Sequence, residues 1–175
     1  HNGYKTDDYL KKIIRLNQIG FKNSILVLDS ISEIKRVKQY AAEYKGKIKI
    51  GIRIAIDEEP QNAYYTSRLG IRPTEILDFY ENEIKGDENL SLKMVHFFID
   101  SGIKDSVYYW GEFQKALKLF VELKKACPEV KALNLGGGFP IRNNLGFEYD
   151  YEYIINEIVS NIKTACEEAS IDEPD

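Results

Sequence analysis

"ILVLDSISEIKRVKQYAAEYKGKIKIGIRIAI", residues 25–56, is the stretch on which the fold turns. It opens with the apolar run "ILVLD" (25–29) and closes with "IKIGIRIAI" (48–56). Both runs are largely continuous in apolar or β-branched residues instead of alternating, as in strands covered on both faces. Between them Ile31, Ile34, Val37, Ala41 and Tyr44 recur at helical spacing and share one face. Ser30 with Glu33 three residues on reads as a capping box at the start of that helix. A strand, a helix and a second strand of this kind make a parallel βαβ unit with a right-handed crossover.

The same unit recurs outward along the chain. Two more strand-like runs are "KMVHFFI" (93–99) and "ALNL" (132–135). "PTEILDFYENEI" (73–84) opens with Pro73, which suits the first turn of a helix. Trp110, Phe113, Leu117, Phe120 and Val121 form one helical stripe, and Ile155, Ile158, Val159, Ile162 and Cys166 form another. The expected order is helix and strand in strict alternation, with four parallel strands and no linker or low-complexity segment. Two α/β architectures fit: an open doubly wound sheet, or an arc of a (β/α)8 barrel. A complete barrel takes about 250 residues, so four strands in 175 residues are about half of one.

Composition narrows the function. The chain is 43% hydrophobic and 30% charged, with a net charge of −4 and a pI near 5.4. An acidic surface argues against nucleic acid as the main partner. No apolar stretch approaches the roughly 20 residues that span a bilayer, which argues against a membrane partner. The two cysteines, Cys127 and Cys166, are too few for a disulfide scaffold and fit a reducing, cytoplasmic setting. The chain starts at His1 without methionine and stops at Asp175 in loop-like sequence, and is read as a piece of a longer protein.

In either architecture ligands bind at the carboxyl ends of the strands, and that rule selects the residues to weigh. After the fourth strand come Gly136, Gly137 and Gly138. Successive backbone N–H groups without side chains make a nest for an anion, usually phosphate; equally, glycines serve a plain tight turn. The run has neither the GK[ST] of a Walker loop nor the G-x-G-x-x-G dinucleotide spacing. "MVHFFIDSG" (94–102) presents His96, Phe98, Asp100 and Ser101 at the third strand end. His96 is either a hydrogen-bonded core histidine or a pocket residue, and Ser101 either caps a turn or holds a phosphate oxygen. Arg53 lies among apolar neighbours at the second strand end, either snorkelling to water or directed at an anionic ligand group. With only two histidines, His1 and His96, and no clustered cysteines, a metal site is not expected.

"NGYK" (2–5), "SRLGI" (67–71), "VHFFIDSG" (95–102) and "LNLGGGF" (133–139) occur in the order found in the pyridoxal-phosphate decarboxylases with an alanine-racemase-like barrel. The chain resembles that family over essentially its whole length, and most of all its biosynthetic arginine decarboxylase branch, whose members carry an Asn-Gly-Tyr-Lys segment at the first of these places. The resemblance implies a partial (β/α)8 barrel with pyridoxal 5'-phosphate as cofactor. Residues 1–175 would form one partial domain, with earlier barrel strands and a C-terminal β-domain lying outside it.

The same likeness implies roles for residues. Gly136, Gly137 and Gly138 would bind the cofactor phosphate through backbone N–H groups, with Ser101 contacting the same group. Arg53 and His96 would lie on the cofactor side of their strands. Family members typically read His-Phe-His-Leu-Gly-Ser here, and the second histidine stacks on the pyridine ring; this chain has Phe98 at that place and Asp100 where glycine is usual. The lysine that bonds the cofactor would lie upstream of His1, and the acid facing the pyridine nitrogen and a Cys-Asp segment from a partner subunit would lie beyond Asp175.

The implied reaction converts L-arginine to agmatine and carbon dioxide in polyamine biosynthesis, with the cofactor as electron sink, in a homo-oligomer. A related decarboxylase of ornithine, lysine or diaminopimelate, or a non-catalytic pyridoxal-phosphate-binding barrel protein, are the alternatives.

Overall fold

The computed structural model describes residues 3–21, 23–43, 46–56, 69–99, 106–137, 139 and 149–175. The expected alternation is present. In order it runs α1 (Asp7–Gln18), β1 (Leu26–Leu28), α2 (Glu33–Ala42), β2 (Ile48–Arg53), α3 (Pro73–Phe79), β3 (Leu90–His96), α4 (Ser106–Ala126), β4 (Ala132–Asn134) and α5 (Tyr151–Ala169). One π-helical turn, Tyr80–Ile84, continues α3. The strands are parallel and adjacent in chain order, β1-β2-β3-β4. Strands parallel and consecutive in chain order are an arc of a (β/α)8 barrel and not a doubly wound sheet, whose order reverses.

Register sorts the strand residues onto two faces. Leu26 pairs with Ile50, Leu28 with Ile52, Ile52 with Val95 and Val95 with Leu133. These side chains lie with Phe97 in the apolar core formed with Leu10 and Ile14 of α1, Val37 of α2, Ile76 of α3 and Phe113 and Phe120 of α4. The opposite face carries Val27, Gly51, Met94 and Ala132, and then, at the carboxyl ends, Arg53, His96 and Asn134 in register. Asp29 directly follows β1 on that face. One face of the sheet is therefore apolar, whereas the other is polar at both ends, with Lys49 and Ser91 at the amino end and Asp29, Arg53, His96 and Asn134 at the carboxyl end.

Three expectations change in detail. The third strand begins at Leu90 instead of residue 93, because the polar Ser91 and Lys93 are satisfied by one carboxylate: both donate to Glu129, at 2.5 and 2.9 Å. A register shift at Ile50/Gly51 leaves Lys93 as an extra residue in the ladder. At α2, Ser32 and not Ser30 is the N-cap, without a side-chain bond, and Ile31 is exposed; Tyr44 lies outside the described residues. On α5, Ile158 and Cys166 are buried with Ile154 and Ile162 against them, whereas Ile155 and Val159 face outward. That helix packs along α4, and one neighbour covers less than the full width of its apolar stripe.

Pro73 stands in the first turn of α3, as its fixed φ favours. Cys127 and Cys166 are both buried thiols, not a disulfide. No helix among the described residues is long and apolar enough to cross a membrane.

Candidate cofactor site at the carboxyl ends of the strands

Asp29 is the hub. Its backbone N–H donates to Glu33 Oε2 at 2.8 Å, and its carbonyl accepts from the Gly70 N–H at 2.7 Å. Its Oδ2 accepts from Lys5 Nζ at 2.8 Å, and its Oδ1 lies 3.5 Å from Arg53 Nη1. The supposed capping glutamate thus caps nothing in its own helix; Glu33 reaches back to the strand end. Lys5 is fully buried, and its ammonium is shared among the Gly3 carbonyl (2.6 Å), Asp29 and Glu33 (3.2 Å). Lys5, Arg53, Asp29 and Glu33 are all buried, two cations against two carboxylates. The charges cancel, as burial at this depth demands.

Gly70, from the "SRLGI" segment, staples the ends of β1 and β2 together. Beside its bond to Asp29, the Ile71 N–H donates to the Arg53 carbonyl and the Ala55 N–H to the Ile71 carbonyl, at 2.8 and 2.9 Å. A Cβ at Gly70 would stand 2.5 Å from Ala55 N, and φ is +104°. Only glycine lets the backbones pass this closely. Ser67 and Arg68 lie outside the described residues.

Arg53 points onto the ligand face. Its guanidinium carbon lies 5.3 Å from the centroid of the Phe98 ring, a cation–π distance. Its Nε is buried without a hydrogen-bond partner among the described residues. His96 and Phe98, two residues apart on one strand end, stand with ring planes 24° apart and centroids 6.4 Å apart. Burial, and then the Arg53 charge, lower the His96 pKa from its ordinary 6.5, while hydrogen bonding with Asn134 acts the other way. A neutral imidazole follows.

The folded chain then excludes a proton that the unfolded chain takes up. This contribution to stability is complete above about pH 6.5 and is lost as pH falls through the lowered folded value. Melting temperatures of the full-length protein should fall on acidification across that window, and less so for His96→Gln. Parallel pH profiles for the two proteins would contradict the assignment.

The glycine run divides by job. Gly136 has φ +69°, and a Cβ there would meet the Phe97 carbonyl oxygen and Phe98 Cδ2, each at 2.8 Å. Its N–H donates to Asn134 Oδ1 at 2.8 Å, and the Asn134 carbonyl accepts from the Phe97 N–H at 2.8 Å. Gly136 is therefore required by the chain itself, for the turn and for the close pass over β3. Gly137 is different: its φ is not in the left-handed region, and a Cβ there would meet none of the described residues within 4 Å. Gly138, Asp100 and Ser101 lie outside the described residues.

Arg53, His96, Phe98, Gly136 and Gly137 thus share one end of the sheet. A buried guanidinium Nε with no partner among the described residues, beside the Phe98 ring, fits an anionic, planar cofactor. A cavity of about 340 Å³ lined by Tyr80, Ser91 and Cys127 lies at the opposite, amino end of β3.

The residues 1–174 match the family model of the pyridoxal-dependent decarboxylases, pyridoxal binding domain. The chain belongs to that family. Pyridoxal is its cofactor. Among relatives, the biosynthetic arginine decarboxylase of Prochlorococcus marinus (strain AS9601) is 29% identical over 99% of this chain and 28% of its own length. The Pseudomonas putida (strain KT2440) biosynthetic arginine decarboxylase is 22% identical over 99% of this chain and 29% of its own. The domain therefore spans little more than a quarter of these relatives. Among solved structures, M. jannaschii diaminopimelate decarboxylase in co-complex with L-lysine superimposes with a TM-score of 0.79 at 19% identity, covering 99% of this chain and 40% of that one. Lysine decarboxylase from Selenomonas ruminantium gives 0.70 at 22% identity, covering 94% and 40%. At these identities the structures speak for the barrel.

Lys5 and Asp29 are the residues that sequence reasoning passed over as site residues, and Glu33 the one it read only as a local cap. Asp29 closes the apolar run "ILVLD", so the strand-end rule already pointed to it. Lys5 stood inside a motif used only for likeness.

Proposed function

We propose that the chain is the phosphate-binding part of a pyridoxal-phosphate-dependent decarboxylase of basic amino acids, with L-arginine as substrate. The observation that carries the reading is Gly137: neither its backbone conformation nor any described neighbour requires glycine, and it follows the Gly136 turn at the carboxyl end of β4, where its backbone is left open to a ligand. In this reading Gly137 and Gly138 hold the phosphate by backbone N–H groups and Ser101 by its hydroxyl. Gly136 makes the turn that presents them. Phe98 offers its ring face to the pyridine ring, Arg53 supplies a fixed positive charge beside it, and neutral His96 walls the same side without competing charge. Pyridoxal phosphate, when bound, supplies the electron sink for loss of carbon dioxide. The chain's own residues bind and orient it and keep the ring's near side dry.

Arginine is favoured by the relatives, which are biosynthetic arginine decarboxylases, and with it a place in cytoplasmic polyamine synthesis. The whole protein would contain further barrel strands, a C-terminal domain and a second subunit completing the site, with residues 1–175 as one partial barrel domain. Phe98 favours a second reading: a phenyl ring stacks but neither donates a proton nor carries charge, which suits a barrel that binds the cofactor without turning it over.

Carbon dioxide release by the full-length protein from carboxyl-labelled arginine, ornithine, lysine and diaminopimelate separates these. Release from arginine above the other three is expected. Preference for another of them reassigns the substrate, and bound cofactor without release from any favours the non-catalytic reading.

A further inference from the structure

We propose that Lys5 is a positioning residue for the cofactor site, acting through Asp29 to hold the Arg53 guanidinium under Phe98. The inference rests on the reading above that Arg53 faces the cofactor. A lysine with no exposed surface is unusual, and an apolar side chain of similar length would fill the space without desolvating a charge. The charge must therefore do something that packing does not.

Tethering the chain is not that task. The Lys5 carbonyl is already held by Arg36 Nη1 at 3.0 Å, and Arg36 also reaches Asp7 at 3.2 Å. Nor does Lys5 set the path of the chain at Asp29, whose N–H and carbonyl are clamped by Glu33 and Gly70. What remains for Lys5 is the Asp29 carboxylate itself. By fixing Oδ2 at 2.8 Å, it leaves Oδ1, buried and without a hydrogen-bond partner among the described residues, 3.5 Å from Arg53 Nη1 as its ion-pair partner. It also lies between two buried carboxylates, Asp29 and Glu33, and offsets their mutual repulsion. Arg53 is then placed by the Asp29 charge 3.5 Å from Nη1 and by the Phe98 face, with Nε left for an acceptor on the ligand.

All three ammonium protons have acceptors in Gly3, Asp29 and Glu33. Lys5 therefore acts on the ligand only through its neighbours.

The test is a mutant cycle in the full-length protein, read by pyridoxal-phosphate affinity, by the visible absorption maximum of the bound cofactor, and by melting temperature. Lys5→Met alone leaves surplus negative charge, so Lys5→Met/Glu33→Gln keeps the cluster neutral. That double variant should fold with a melting temperature near wild type, bind pyridoxal phosphate roughly tenfold more weakly, as when one charge-assisted hydrogen bond is lost, and shift the absorption maximum. Arg53→Met should do the same, and the triple variant should be no weaker than Arg53→Met, because coupled residues are not additive.

Losses that add would mean that Lys5 acts independently of Arg53, and would overturn the proposal. So would wild-type affinity in the double variant beside a weakened Arg53→Met, or failure of the charge-balanced variant to fold. Wild-type affinity in Arg53→Met would instead remove Arg53 from the cofactor site, and the role of Lys5 with it.

Discussion

Asp29→Ala should destabilise the protein by about 3–5 kcal/mol, the usual result of breaking a buried ion pair by removing one partner. The substitution strips Arg53 of its buried carboxylate at 3.5 Å and leaves Lys5 shared only by Glu33 and a carbonyl. Both cations have almost no exposed surface through which water could replace the lost charge. Asp29→Ala/Arg53→Met removes the stranded cation as well, and should recover a substantial part of the loss. Urea unfolding of the full-length protein measures both. An Asp29→Ala cost within about 0.5 kcal/mol, as for an ordinary surface site, would contradict the buried cluster.

Phe97→Ala should cost a further-ranging 3–5 kcal/mol of packing, about the range for deleting a buried phenyl ring. Phe97 is fully buried and meets Tyr109 and Phe113 edge-on, with centroids 6.1 and 6.5 Å away. Its neighbour Phe98 has the same side chain but alternates to the ligand face, half-buried beside Arg53 and His96. Phe98→Ala should therefore cost about 1 kcal/mol while weakening cofactor binding, and Phe97→Ala should do the reverse at temperatures where it remains folded. Equal stability losses for the two would mean that the strand does not sort its residues as described.

Strand order and parallel pairing were legible in the sequence because βα alternation leaves few topologies open, and the four apolar runs mark the strands by themselves. The start of β3 was not legible. Ser91 and Lys93 interrupt the apolar run, and the carboxylate that satisfies them, Glu129, is 38 and 36 residues away. Glu33 failed for a related reason: Ser30 and Glu33 have the spacing of a local cap, but a buried lysine 28 residues upstream is the stronger partner. Lys5 itself looks solvated to any local reading, and only the fold brings it to Asp29. Of the strand-end residues, Arg53 and His96 were picked out by the strand-end rule and Phe98 by the family likeness, and the structure brings the three together. Three identical glycines cannot announce that the first is required by the chain itself and the second is not; that difference needed the φ and crowding of Gly136 against the open Cβ position of Gly137.

Pyridoxal-phosphate titration of full-length Gly137→Ala, with Gly136→Ala beside it, tests that distinction most directly. At Gly137 an added methyl meets nothing among the described residues and needs no left-handed backbone, so folding should be unchanged or slightly firmer. Cofactor affinity should nevertheless fall roughly tenfold or more, as when one charge-assisted hydrogen bond is lost. Gly136→Ala, crowded at 2.8 Å and strained at φ +69°, should lose stability and affinity together. A Gly137→Ala protein that melts like wild type and binds pyridoxal phosphate with wild-type affinity would contradict the phosphate site.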